Sequence, residues 1–211
     1  MKTYTLTVGP LQENTYLLVG EDRRGVIVDP GDEAGRILAE VERVGLEPQA
    51  ILLTHAHFDH VGAVAPLVEA LGLPVYLHER DLELYRYAPE AAARWGLSVP
   101  RPPEPAGLLT EGQVLDLGLG LQVLFLPGHA PGHLGFYSAQ TGNLVSGDVL
   151  FKGGIGRYDL PGANAQDLAA SLRRLLDLPP QTTVWPGHGP PTTLGREAQT
   201  NPYLLQLQGR A

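Results

Sequence analysis

The sequence predicts a layered α/β protein, and three observations carry that prediction. Short apolar runs with strand character alternate along the chain with segments whose apolar residues fall at helical spacing. Four of the strand-like runs lead straight into loops rich in glycine and histidine, places where a rigid scaffold presents side chains. Hydrophobic residues make up 43% of the chain and charged residues 18%, the balance of an ordinary globular protein. A chain of 211 residues buries roughly 70% of its unfolded surface. Residues 1–211 therefore read as one domain with a substantial core.

The N-terminal third reads as strands. Thr15-Tyr16-Leu17-Leu18-Val19 and Gly25-Val26-Ile27-Val28-Asp29, separated by polar residues 20–24, suggest a hairpin that Asp29-Pro30-Gly31 ends. Ile37, Leu38, Val41 and Val44 lie at helical spacing, and Gly45 stops that helix. Ala50-Ile51-Leu52-Leu53 is a short buried strand. Val61, Val64, Leu67, Val68 and Leu71 mark the next helix, closed by Gly72, with Pro66 tolerable only near its first turn. Val75-Tyr76-Leu77-His78 reads as another strand. Residues 81–107 then change character. Residues 81–96 can carry helix, whereas Val99-Pro100-Arg101-Pro102-Pro103-Glu104-Pro105 cannot, so the segment reads as an insertion running over the surface. Strands resume at Leu121-Gln122-Val123-Leu124-Phe125, Leu144-Val145-Ser146 and Thr182-Thr183-Val184-Trp185. Between the last two, Leu168, Leu172, Leu175 and Leu176 define a helix, with a capped start at Asn164 and Asp167.

Composition excludes several classes of function. The 23 acidic against 15 basic residues leave a formal net charge of −8, which argues against a nucleic-acid partner, whose phosphates need a basic face. There is no cysteine, so disulfides, thiolate catalysis and sulfur-ligated metal sites drop out together. Any metal must be held by histidine and carboxylate, donors that suit Zn, Fe or Mn. The first residues lack the apolar stretch of a signal peptide, and no run approaches the roughly 18 apolar residues of a membrane span. A cytoplasmic protein with no membrane partner is the expectation.

Five of the seven histidines share one context. Leu52-Leu53 leads to His55, His57, Asp59 and His60. Leu124-Phe125-Leu126 leads to Pro127-Gly128-His129, Leu144-Val145-Ser146 to Gly147-Asp148, and Val184-Trp185 to Pro186-Gly187-His188. His55 and His57 are two residues apart in extended chain, so both can point to one side. Asp59 and His60 follow as the chain turns towards the next helix and can aim at a second point nearby. Four N/O donors in this short run exceed what one tetrahedral ion readily uses. With His129, Asp148 and His188 the set suffices for two ions sharing one carboxylate. A lone histidine is usually a surface or core residue, but this run joined by three further strand-end donors is not a chance pattern.

The remaining candidates are less specific. His133, four residues beyond His129, could stand behind the ligands and orient them, or simply satisfy its loop. His78 ends a strand before Glu79-Arg80 and reads as an ordinary surface residue. Tyr85, Tyr87 and Trp95 could border a substrate pocket or anchor their segment to the core.

Four motifs carry a resemblance over essentially the whole chain. They are Thr54-His55-Ala56-His57-Phe58-Asp59-His60, Pro127-Gly128-His129-Ala130-Pro131-Gly132-His133, Gly147-Asp148-Val149-Leu150-Phe151 and Pro186-Gly187-His188-Gly189. Together they resemble the metallo-β-lactamase superfamily, and within it the glyoxalase II-like group of hydroxyacylglutathione hydrolases and their relatives. The resemblance implies a four-layer αββα sandwich with a dinuclear site at its edge. Carried over by motif, it implies that His55, His57 and His129 hold one metal ion, that Asp59, His60 and His188 hold the other, and that Asp148 bridges them. Two divalent ions per chain follow, zinc first, with iron or manganese as alternatives. The implied activity is thioester hydrolysis, S-acyl thiol to acid plus thiol, by a hydroxide made between two cations. Asp59 would also orient that nucleophile, and the partner would be a small acyl-thiol substrate.

Around the substrate the resemblance thins. Full-length glyoxalase II proteins carry a helical C-terminal domain that supplies basic glutathione contacts, and the short tail after His188 leads us to expect none here. Within Gly154-Ile155-Gly156-Arg157-Tyr158-Asp159, Arg157 occupies the basic position and could meet a substrate carboxylate or pair with Asp159. Asp159 and Pro190 stand where glutathione-contacting relatives have tyrosine. The motifs thus leave open the acyl group, the thiol carrier, the native metal and the oligomeric state. A lactamase or lactonase of the same fold is a further alternative, the lactamase weakened by the missing export signal. Persulfide dioxygenases share this fold and much of the motif set, with one iron on the equivalents of His55, His129 and Asp148. The complete second set of donors favours hydrolysis.

Overall fold

The computed structural model describes residues 1–209. In chain order, strands β1 (Lys2–Val8), β2 (Glu13–Val19) and β3 (Arg24–Val28) lead to helix α1 (Ala34–Val44), strand β4 (Glu47–Leu52), and helices α2 (Phe58–Val61) and α3 (Val64–Leu71). Strand β5 (Val75–Leu77), a 3-10 turn (Glu79–Asp81), helix α4 (Leu82–Ala93) and the short β6 (Gly107–Leu108) complete a first half. These six strands form one sheet in the order β1 to β6. Tight turns join β1, β2 and β3, which are antiparallel, whereas helices carry the chain back between the parallel strands β3 to β6.

The second half contains β7 (Val114–Leu115), β8 (Leu121–Phe125), β9 (Leu134–Ser138), β10 (Asn143–Gly147) and the hairpin of β11 (Leu150–Phe151) and β12 (Gly154–Ile155). Helix α5 (Ala165–Leu175), strands β13 (Thr183–Pro186) and β14 (Thr192–Thr193), and helices α6 (Leu194–Thr200) and α7 (Pro202–Leu207) follow. Its sheet has the order β14-β13-β10-β9-β8-β7.

Successive strand residues point to opposite faces, and burial sorts them into three cores. Leu17, Ile27 and Ile51 of the first sheet pack with Ile37 and Val41 of α1, Leu67 of α3, and Tyr85 and Ala88 of α4. Leu18, Val26, Val28 and Leu52 instead face Leu121, Val123, Phe136 and Val145, filling the space between the sheets. Leu124, Tyr137, Leu144 and Val184, on the far face of the second sheet, meet Leu168, Leu172 and Leu175 of α5 and Leu204 of α7. The layers run helix, sheet, sheet, helix, which is the αββα sandwich that the motifs imply.

Three local expectations need correction. The helix expected from Val61 to Leu71 is broken in two: Ala63 leaves helical geometry at φ −97° and ψ 1° and gives its N–H to the Pro30 carbonyl at 2.9 Å, while Gly62 packs too closely on the Gly31 carbonyl for any Cβ. Pro66 consequently lies in the first turn of α3, where its missing N–H is harmless. Residues 81–107 are not a surface insertion: Tyr85, Ala88 and Ala92 are buried, α4 completes the first helical layer, and β6 returns to the sheet. His78 is buried rather than superficial. Its ring stacks on Phe125 with centroids 4.4 Å apart, and its Nδ1 accepts the Arg80 N–H at 3.1 Å. Among the described residues no helix is long and apolar enough to cross a membrane.

The inter-sheet core sets a test of this architecture. Phe136 is buried there, and Phe136→Ala is expected to cost about 3–5 kcal/mol of unfolding free energy. The measurement is a urea midpoint that falls at unchanged slope. Val114→Ala, at a residue 64% exposed, should leave the unfolding free energy within about 0.5 kcal/mol of its original value.

Candidate metal centre

Strand direction decides where the candidate ligands meet. β8 and β10 both run antiparallel to β9, and β13 runs parallel to β10. Their C-terminal ends therefore lie along one edge of the second sheet, where they release His129, Asp148 and His188. In the first sheet β3 and β4 are parallel, and their ends release Asp29 and the loop from His55 to His60. Hydrogen bonds join the two edges. The Leu134 N–H donates to the Thr54 carbonyl at 2.6 Å, the Asn14 N–H to the Gly187 carbonyl at 2.8 Å, and the Tyr16 hydroxyl to the Pro186 carbonyl at 2.5 Å.

All seven residues singled out by the motifs converge at this junction. His55, His57 and His129 offer donor atoms within 4.8 Å of one another, and so do Asp59, His60 and His188. Asp148 stands between the groups. Its Oδ2 lies 3.5 Å from His129 Nε2 and 3.6 Å from His188 Nε2, and its Oδ1 lies 3.6 Å from His60 Nε2. Gly187 is required here, because a Cβ at that position would be driven into Asp148 Oδ1 and the His60 ring.

The outer ring nitrogens explain the orientation. Thr54 Oγ1 donates to Asp29 Oδ2 at 2.6 Å, so it is free to accept the His55 Nδ1–H at 3.0 Å. Asp29 Oδ2 takes the His60 Nδ1–H at 3.1 Å, and the Arg157 carbonyl takes that of His129 at 2.8 Å. The Gln12 carbonyl lies 3.3 Å from His188 Nδ1. In its neutral form each of these four rings consequently turns an Nε2 lone pair inward. His57 is the exception, with Nδ1 inward, 3.0 Å from His129 Nε2.

The donor set fits a cation. His55 Nε2, His60 Nε2 and Asp148 Oδ1 are buried without a hydrogen-bond partner, a situation that costs about 1–3 kcal/mol per group when nothing fills it. Imidazole nitrogens and carboxylate oxygens are the ligands that zinc, iron and manganese take. The charges respond to one another. Burial, reinforced by His129, pushes His57 down to about 3, and burial with the neighbouring imidazoles holds His55 well below its ordinary value. Burial also opposes protonation of His60 and His188, yet the surrounding carboxylates, Asp148 foremost for His60 and Asp59 for His188, raise both. Burial would raise Asp148, but His60, His129 and His188 hold it far below the usual carboxylate range.

Sequence reasoning missed three buried acids around this centre. Asp29 adopts a left-handed backbone at φ 48° and accepts the Thr54 N–H at 2.6 Å in addition to the bonds above. Its only signal in the sequence is an aspartate at a strand end before Pro30-Gly31, a pattern that reads simply as a stop. Asp81 accepts the Ala56 N–H at 3.0 Å and the Gly132 N–H at 2.5 Å, tying the loop of His55 and His57 to that of His129. Burial pushes its carboxyl up to about 6. Glu13 is buried with Oε1 3.7 Å from His60 Nδ1, and burial raises it well above the ordinary value.

The secondary candidates are placed as follows. His133 is buried, accepts the Asp148 N–H on Nε2 at 3.0 Å, and stacks on His55 at 4.8 Å. The Arg157 guanidinium is exposed and makes two 3.0 Å bonds to Asp159; only its carbonyl reaches the centre. Tyr85 is in the core, Tyr87 is exposed beneath Arg94, and Trp95 is exposed with its ring 6.3 Å from that of Phe58.

Comparison with known proteins gives a consistent family. The model of the Metallo-beta-lactamase superfamily matches residues 8–188. The hydroxyacylglutathione hydrolase GloC of Haemophilus influenzae is 38% identical over 213 residues, 97% of this chain and 98% of that protein. A solved structure of TTHA1623 in a di-iron-bound form is 60% identical with TM-score 0.90, covering 95% of this chain and 100% of that one. The solved BLEG-1 B3 metallo-beta-lactamase is 39% identical with TM-score 0.91, covering 96% and 99%.

Two outcomes test the centre. His60 and His188 carry raised pKa values in the metal-free chain, so an incoming cation must displace protons. Zinc affinity should therefore strengthen as pH rises through neutrality and weaken as it falls. Calorimetric titrations at pH 6 and 8, in buffers of different ionisation enthalpy, count those protons; a pH-independent affinity with no proton release contradicts the assignment. Asp81→Ala strands two N–H groups and should cost roughly 2–4 kcal/mol, with Asp81→Asn milder because its amide oxygen still accepts; urea denaturation reads both.

Proposed function

We propose that this chain, which belongs to the metallo-beta-lactamase superfamily, is a two-metal hydrolase of small acyl thioesters. The observation that carries this is the pair of donor clusters with Asp148 between them. His55, His57 and His129 would hold one ion, Asp59, His60 and His188 the other, and Asp148 both. The di-iron form of the 60% identical structure supports two ions and places iron beside zinc as a candidate. Bound divalent ions supply a lowered pKa for water and polarisation of a carbonyl oxygen.

The chain's own residues supply direction. Burial would raise Asp59, but His188 and His60 lower it below its ordinary value, so it is an ionised acceptor near neutrality. Its carboxylate lies 3.4 Å from His188 Nε2, and the residue borders an adjoining cavity. From there it can accept a hydrogen bond from an attacking water and fix its approach. His133 accepts the Asp148 N–H and so fixes the backbone that carries the Asp148 carboxylate. A thiolate leaves without a strong general acid, so no further proton donor is needed. The hydroxyacylglutathione hydrolase, similar over its whole length, supports the thioester class. The B3 metallo-beta-lactamase favours a second reading, hydrolysis of a β-lactam amide at the same centre.

A substrate panel on zinc- and iron-loaded protein separates these. We expect turnover of acyl thioesters that disappears on chelation and returns with metal. Asp59→Asn should lower kcat by about 10²–10⁴, with metal content measured alongside because Asp59 is also a proposed ligand. Failure to hydrolyse any acyl thiol sinks the proposal. Hydrolysis of β-lactams alone installs the second reading, and persulfide-dependent oxygen uptake with one iron per chain installs a dioxygenase.

A further inference from the structure

Beside the donor clusters lies a cavity of about 60 Å³ whose lining includes Asp59. Its apolar walls come from three places: Val8 and Leu11 at the turn between β1 and β2, Phe58 at the start of α2, and Leu97 and Val99 beyond α4. Among the described residues no lysine, arginine or histidine lines it, and its acidic members are Asp32 and Asp59. Arg157, the basic residue that the motifs offer for a substrate carboxylate, is engaged by Asp159. A volume of this size suits about two waters or a similarly short alkyl arm. An anionic group placed there would give up its water, find no basic side chain in the wall, and stand near the Asp32 carboxylate, which lies against Gly9 of the lining.

We propose that this cavity is the subsite for a short, uncharged, apolar arm of the substrate, and that it rejects an arm ending in a carboxylate. The proposal rests on the thioester reading given above. It assigns specificity to the two loops that bring Leu11 and Val99 together beside Asp59. The structure also supplies a reporter. Trp95 stands 62% exposed beside Phe58, whereas Trp185, the other tryptophan, is bonded to Asn143 in the second sheet.

The test compares butyryl and succinyl thioesters of one neutral thiol, N-acetylcysteamine, which differ chiefly in the terminal carboxylate. The butyryl ester should have at least about a tenfold higher kcat/KM. Placing the carboxylate on the thiol arm instead, as in butyryl thioglycolate, shows which arm occupies the cavity. Val99→Arg adds a cation to the wall and should shift the butyryl-to-succinyl ratio about tenfold towards succinyl. Equal rates for the uncharged and both carboxylate-bearing esters, or an unchanged ratio in a folded Val99→Arg protein, overturn the proposal. If no thioester is hydrolysed, the hydrolase reading fails while the subsite is still decided by fluorescence. A non-hydrolysable S-butyl thioether should then change the Trp95 signal, its carboxylate counterpart should not, and Trp95→Phe should abolish the change. An equal response to both probes, or to neither, overturns it.

Discussion

A single buried carboxylate, Asp29, fixes one histidine ring directly and another through a hydroxyl. It accepts from His60 Nδ1 and from both the N–H and the hydroxyl of Thr54, which in turn receives His55. Because each outer nitrogen is occupied, each inner nitrogen is left as a lone pair. Satisfying these groups from one side chain requires the ends of β3 and β4 to be neighbours, which the parallel pairing of those strands provides. The layered fold thereby does more than bury apolar surface: it aligns strand ends so that a few short bonds set the chemistry of the centre.

The same economy extends to the second sheet. His133 holds the backbone of Asp148, the Arg157 carbonyl holds His129, and Tyr16 and Asn14 of the first sheet hold the loop that carries His188. Much of the support comes from backbone groups and buried polar side chains. Precision of ligand placement then depends on loops fastened at both ends rather than on rigidity within them.

How much of this could be read from sequence depends on the distance over which each signal acts. The donors of residues 55–60 announce themselves because extended spacing and histidine chemistry coincide within a few residues. His129, Asp148 and His188 are legible because each repeats the same strand-then-glycine context. Asp81 and Glu13 carry no such signal, since their roles arise from partners remote in the chain, Gly132 for the first and His60 for the second. The helical character of residues 81–96 is legible, and α4 spans Leu82–Ala93, but its burial is not. Its inner face is marked by Tyr85, Ala88 and Ala92, and alanine marks a face weakly beside the proline-rich stretch that follows. Strand β1 hid behind threonines at alternate positions and half-exposed burial, the pattern of a sheet edge.

The origin of the donors has a consequence for how the molecule assembles. Each cluster draws on both halves of the chain: His55 and His57 follow the first sheet while His129 follows the second, and Asp59 and His60 join His188 in the same way. Neither half alone can present a full set. A cation held there clasps the two sheets, and its binding energy counts towards the folded state alone. Occupancy and assembly are in that sense one equilibrium, and the supply of metal becomes a condition on how tightly the sandwich stays closed.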